Sequence, residues 1–144
     1  MLLYNAIKCP DGTLLVSRHQ HDFQIHKQKD GREYYVDGGS MYHRIGYSDN
    51  EYTNLCVYSD DQHEKIREYF EWIRNFDKDM NKLPEPEIIK LKDITDEHLM
   101  ALVEWTNDDV AAVQLSSSEL NRSNRQYPKE IHKVFVDEVK YRNQ

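Results

Sequence analysis

Residues 23–36 read FQIHKQKDGREYYV. Runs 23–27 and 33–36 flank Lys29-Asp30-Gly31. Asp-Gly between two such runs is a hairpin signal, because glycine accepts the positive φ of a tight turn. The pattern repeats upstream. Leu2–Lys8 is followed by Pro10-Asp11-Gly12, where proline presets φ and glycine closes the turn, and residues 13–17 return. Residues 52–58 read as a further strand. The first half therefore predicts a mostly antiparallel sheet.

Downstream the period changes. Over 60–76, Ile66, Tyr69, Phe70 and Ile73 recur at i, i+3, i+4 and i+7, the apolar stripe of a helix. Ser59 is its candidate N-cap, with Asp60 and Asp61 suiting the positive end of the helix dipole. Residues 77–89, with Pro84 and Pro86, predict a connector. Thr95 is the next candidate cap, with Ile94 and Leu99 as a hydrophobic staple, and that helix is expected to bury Leu99, Leu102 and Val103. Residues 107–126 read as a polar loop after a short helix. Pro128 suits a helix start. The last helix carries the narrow stripe Ile131, Val134, Phe135, Glu138 and Val139, which fits docking on a partner subunit or on the chain's own sheet. The expected fold class is α+β: an N-terminal antiparallel sheet of hairpins followed by two to four C-terminal helices, in one domain over 1–144.

Composition narrows the function classes. The chain has 144 residues, 38% hydrophobic content, 10 tyrosines and a net charge of −7. Tyrosines suit ligand walls and subunit contacts, and equally well half-buried strands. Residues 1–46 carry six Lys/Arg against five Asp/Glu, and 119–144 carry six against four. The middle, 47–118, carries seven against seventeen. A duplex-binding protein presents a basic face, so a nucleic acid polymer is not the expected partner. Cys9 and Cys56 fall in different strands and read as reduced cytosolic thiols. No leader pattern and no apolar run of about 20 residues points to secretion or a membrane.

Three clusters could carry chemistry. Arg18-His19-Gln20-His21-Asp22-Phe23 places two imidazoles on one face of a strand, with a carboxylate beside them. That set could hold a divalent metal and support a hydrolase. It reads equally as a polar hinge in which Asp22 caps backbone N–H groups, or as direct ligand contacts. In Val36-Asp37-Gly38-Gly39, followed by Tyr42 and Arg44, paired glycines let backbone approach something closely. Asp37 could accept ribose hydroxyls and Arg44 could pair with a phosphate; a plain turn with solvated charges is the alternative. No helix follows this glycine pair in a βαβ unit, so it is not a dinucleotide fingerprint. Asn121, Arg122, Asn124, Arg125, Lys129, His132 and Lys133 form a donor-rich helix start, with Lys129, His132 and Lys133 on one face. A solvated basic face accounts for them as well. No nucleophile elbow, phosphate-binding loop or His-Glu-x-x-His occurs.

Taken in order, Asn5-Ala6-Ile7-Lys8, Pro10-Asp11-Gly12-Thr13, Ser17-Arg18-His19, His21-Asp22-Phe23, Val36-Asp37-Gly38-Gly39, Tyr42, Arg44, Tyr58-Ser59-Asp60-Asp61, Lys90-Leu91-Lys92-Asp93 and Lys140-Tyr141-Arg142 resemble a phage family. The family is that of the Thoeris anti-defence sponges, and the resemblance spans most of the chain except 75–89 and 106–126. It implies a protein of the host cytoplasm that binds and sequesters a cyclic ADP-ribose isomer without cleaving it, so that the immune effector never receives its signal. It implies a homodimer or higher homo-oligomer, a pocket shared between subunits and closed by the C-terminal helix, no cofactor and no catalysis. Some members also hold cyclic oligonucleotides. Arg18, His19, His21, Asp22, Asp37, Tyr42, Arg44 and the C-terminal cluster are the implied ligand contacts. Where the family is expected to offer arginine on the last helix, this chain has Lys129, His132 and Lys133; the nearest arginines are Arg122 and Arg125. The chemistry is coherent: such a ligand wants an aromatic plate, carboxylate or amide groups for hydroxyls, and cations for a diphosphate. Two rivals stand beside it: a metal-dependent hydrolase using His19, His21 and Asp22, and an inhibitor that binds a host protein through the acidic middle.

Overall fold

The computed structural model describes residues 1–107 and 127–144. They form two compact units, Met1–Phe70 and Glu71–Gln144. Antiparallel strands come first and helices follow, an α+β chain.

In the first unit, β1 (Leu2–Lys8) pairs with β2 (Leu14–Ser17) across the Pro10-Asp11-Gly12 turn. Gly12 takes φ 95, the conformation that this turn requires. Strands β3 (Gln24–Lys27), β4 (Glu33–Asp37) and β5 (Arg44–Tyr47) make a second antiparallel sheet, β3-β4-β5. Two short strands, β6 (Thr53–Asn54) and β7 (Val57–Tyr58), complete the first sheet against β1. Every residue of β1 except Lys8 is buried, so both faces of that strand are covered. One face joins Ile7 and Leu15 to Tyr34 and Val36 of the second sheet. The other places Tyr4 at 5.6 Å from Tyr69 of α1 (His63–Tyr69). Burial of each such side chain contributes about 1.5–3 kcal/mol.

In the second unit, β8 (Glu71–Phe76) and β9 (Lys82–Lys90) form a hairpin. A short 3-10 turn, Leu91–Asp93, leads to α2 (Asp96–Trp105), and α3 (Lys129–Arg142) packs on α2. Thr95 caps α2, its Oγ1 accepting the His98 N–H at 3.2 Å. Leu99 and Leu102 are buried as the periodicity requires, while Val103 is only half-buried. The stripe of α3 docks inside its own unit: Phe135 is fully buried and meets Trp72 of β8 edge-on at 5.4 Å. No helix among the described residues is long and apolar enough to cross a membrane.

Several expectations are corrected. The helix over 60–76 stops at Tyr69. Phe70 turns extended, with φ −59 and ψ 131, and residues 71–76 form a strand, leaving Ile73 exposed. Ser59 is not its cap; the N-cap position is Gln62, without a side-chain hydrogen bond. The expected connector 77–89 is mostly strand β9. Its Pro84 and Pro86 fall where the register shifts, between the pairing of Arg74 with Glu87 and that of Phe76 with Lys82, and among the described residues β9 pairs only with β8; proline is accepted at bulges and edges. Strand β5 was not anticipated, and residues 52–58 are two short strands rather than one.

Candidate functional site

The sequence puts an asparagine in the middle of an apolar strand, and the site grows from it. Asn5 lies opposite Ser17 in the β1–β2 ladder, so both side chains leave the sheet on one face. Asn5 is 1% exposed. Its Nδ2 donates to the carbonyls of Asp37 (2.9 Å), Gly39 (3.0 Å) and Tyr42 (3.1 Å). Ser17 Oγ accepts the Gly39 N–H at 2.9 Å and donates to the Asp22 carbonyl at 2.6 Å. One cross-strand pair thus clamps two loops, 18–23 and 38–43.

Each loop is also closed internally. Asp22 Oδ2 accepts the Arg18 N–H at 2.8 Å, and its Oδ1 accepts from Gln24 Nε2 at 2.6 Å. Burial opposes ionisation of Asp22, but these donors outweigh it and hold the carboxyl below its ordinary range. Asp22 therefore serves the backbone, the hinge role open to it from the sequence. In the other loop, Gly38 and Gly39 have φ 104 and 54. A Cβ on Gly39 would lie 2.4 Å from the His19 carbonyl carbon, and one on Gly38 would lie 2.1 Å from the Tyr42 carbonyl oxygen. The glycine pair exists to let the loops touch. The Tyr42 hydroxyl reaches the Gln20 carbonyl at 3.3 Å.

Around this frame the predicted contacts divide. Arg18, His19, His21, Tyr42 and Arg44 are exposed, and Asp37 is buried beneath Arg44, with Nε to Oδ2 at 4.0 Å. The Arg44 guanidinium lies 5.7 Å from the centre of the Tyr35 ring, and the Phe23 ring centre stands 5.0 Å from it. Tyr35 lies across Gly46, where an added Cβ would come within 1.6 Å of the ring. The Arg-His-x-His-Asp and Val-Asp-Gly-Gly motifs are therefore neighbours, with Arg44 set against the aromatic pair Tyr35 and Phe23.

The C-terminal candidates belong to the second unit. Lys129 is exposed at the start of α3. The Thr106 hydroxyl donates to the Leu102 carbonyl at 2.7 Å and stands 3.1 Å from His132 Nδ1, so that ring nitrogen is the donor to Thr106. Lys133 pairs with Asp137 one turn on. Asn121, Arg122, Asn124 and Arg125 lie outside the described residues. Among the described residues no group of three His, Cys, Asp or Glu could hold a metal ion.

Sequence reasoning missed Asn5, Ser17, His43 and Cys56. The only available signal was a polar residue inside the run Leu2–Lys8. His43 Nδ1 lies 2.6 Å from Asn5 Oδ1 and 3.2 Å from Cys56 Sγ. Since the Asn5 amide nitrogen faces carbonyls, its oxygen accepts and His43 carries its proton on Nδ1. Cysteine, histidine and asparagine are the residue types of thiol catalysis, but there the asparagine and the sulfur engage opposite ring nitrogens. Here both crowd Nδ1, and burial pushes the Cys56 thiol up, away from the reactive thiolate. The trio locks the loops.

Burial also lowers His43 below its ordinary range. Above about pH 6.5 the ring is neutral in both folded and unfolded chains and contributes no pH dependence. Below it the unfolded chain binds the proton first, so stability falls until the lower folded-state value is passed. Urea midpoints at pH 7.5 and 5 should therefore differ less in His43→Gln than in the parent. His98, also lowered by burial, cancels from that comparison. An unchanged difference would remove His43 from the account.

No protein-family model, no curated protein and no solved structure matches this chain.

Proposed function

We propose that the protein is a phage signal sponge of the Thoeris anti-defence kind, which binds a cyclic ADP-ribose isomer or a related cyclic nucleotide and holds it intact. The observation that carries this reading is the clamped double loop. Arg18 and Arg44 offer charge-assisted contacts to a diphosphate, Tyr35, Tyr42 and Phe23 offer aromatic faces, and Asp37 sits beneath. Loops fixed through the buried Asn5 and Ser17 lose little freedom on binding, which favours affinity. Slow release suits a pocket covered by a second copy of the chain, so a homo-oligomer in the host cytoplasm is part of the proposal.

The test is to incubate the protein with a mixture of cyclic nucleotides, wash, release by heat and weigh what emerges. Intact cyclic ligand is expected. Linearised ligand, or none, would overturn the reading. Arg44→Glu alters a side chain that is 60% exposed, so the fold should survive. Reversing that charge should cut retention about tenfold or more, about 1.4 kcal/mol for each factor of ten.

A further inference from the structure

The chain has two tryptophans, Trp72 and Trp105, and both line one cavity of about 410 Å3 within the second unit. That size falls in the range of small-molecule sites. Its walls are held in place. Trp105 Nε1 donates to the Tyr127 hydroxyl at 2.8 Å, and the Trp72 ring stands 6.1 Å from Tyr127. Behind Trp72, the buried Phe135 fixes the ring edge-on. Three further apolar side chains on the lining remain open to water, Ile73 at 37%, Phe76 at 47% and Met80 at 73%. A preformed aromatic cleft with wet apolar side chains accommodates a flat ring.

Cations complete the lining. Among the described residues Arg74 and Lys78 stand there with one carboxylate, Asp77. Asp77 Oδ1 is occupied by the N–H groups of Asp79 and Asn81, both at 2.9 Å, in the hairpin turn. Arg74 donates through Nε to the Phe76 carbonyl at 2.8 Å, while its Nη1 is 3.8 Å from Glu87, beyond hydrogen-bond reach. Lys78 is exposed. Arg74 is shared with Glu87 across the hairpin, which leaves Lys78 as the more exposed cation of the lining.

We propose that this cavity is a binding site for a planar aromatic anion, its ring between the tryptophans and its charge toward Arg74 and Lys78. It is built wholly from the second unit and is independent of the sponge reading. A nucleoside monophosphate and an aromatic carboxylate share this chemistry.

Because both tryptophans line the cavity, intrinsic fluorescence reports its occupancy. Titrations with adenosine 5′-monophosphate and with benzoate distinguish the two sources, and uncharged adenosine is the control. A saturable change is expected with at least one anion, and Lys78→Glu should weaken it about tenfold, roughly the 1.4 kcal/mol of one charged contact. Arg44→Glu should leave it unaltered. The proposal is overturned if neither anion gives a saturable change, if adenosine matches its monophosphate where that anion responds, or if Lys78→Glu has no effect. It is also overturned if Arg44→Glu abolishes the response, which would assign the binding to the double loop. Loss of the cyclic-nucleotide retention described above would leave it standing.

Discussion

Arg142→Ala is expected to melt well below the parent, having lost roughly 3–5 kcal/mol. The reason is Glu138, a carboxylate with no exposed surface in the middle of α3. Arg142, one turn on, donates to it through Nε at 2.8 Å. The same guanidinium reaches Asp96 at the start of α2 at 2.8 Å and the Leu91 carbonyl at 3.0 Å. It ties α3 to α2 and to the short turn before α2. Burial opposes the charge on Arg142, but its hydrogen bonds to Glu138 and Asp96 win, and its pKa rises. Removing the arginine takes the cationic hydrogen-bond donor from a buried carboxylate, and losing one member of a buried pair is costly. Asp96, whose side chain is 89% exposed, should matter far less: Asp96→Ala should stay within about 1 kcal/mol. Replacing Glu138 and Arg142 together by leucine should recover a large part of the loss, since the buried carboxylate goes with its cation. Denaturant unfolding of the three proteins decides it. Equal losses for Arg142→Ala and Asp96→Ala would show that Glu138 needs no partner.

The second large effect is expected at Asn5. Asn5→Leu keeps the volume and removes the amide. The carbonyls of Asp37, Gly39 and Tyr42 lose their shared donor, and His43 loses its acceptor. An unsatisfied buried polar group costs about 1–3 kcal/mol, and several lose a partner at once, so a loss of about 2–4 kcal/mol is expected. The loss should be visible locally too, as faster protease cleavage within residues 38–43 and poorer nucleotide retention. Ser17→Ala, which frees only the Gly39 N–H and the Asp22 carbonyl, should be milder. If Asn5→Leu melts within about 0.5 kcal/mol of the parent, as ordinary surface changes do, the clamp is not a clamp.

The legible features were those with a local cause. Asp30-Gly31 and Pro10-Asp11-Gly12 closed the hairpins expected of them, and Thr95 capped its helix. The β8–β9 hairpin misled because Ile73 continues a helical stripe from Ile66 and Phe70. What ends that stripe is the extended backbone at Phe70 and the hairpin pairing of 71–76 with β9, whose prolines had marked that stretch as a connector. Strand β5 was hidden by Gly46, a poor strand former alone, which is favoured here because the Tyr35 ring occupies its face. The two loop motifs were visible as separate clusters. Their contact was not, since it depends on one amide reaching carbonyls more than thirty residues away. The tryptophan cavity joins residues of β8, α2 and the approach to α3, so no single window of sequence contains it.

The two prolines of β9 bear on how the molecule behaves in a crowd. An open strand rim invites an identical chain to add itself, and such additions can continue without limit. Pro84 and Pro86 carry no amide hydrogen and sit where the pairing is irregular, so this stretch of β9 is a poor template for stacking. On the sponge reading the chain must outnumber the messenger it captures. A rim that resists open-ended addition suits a protein needed in many copies.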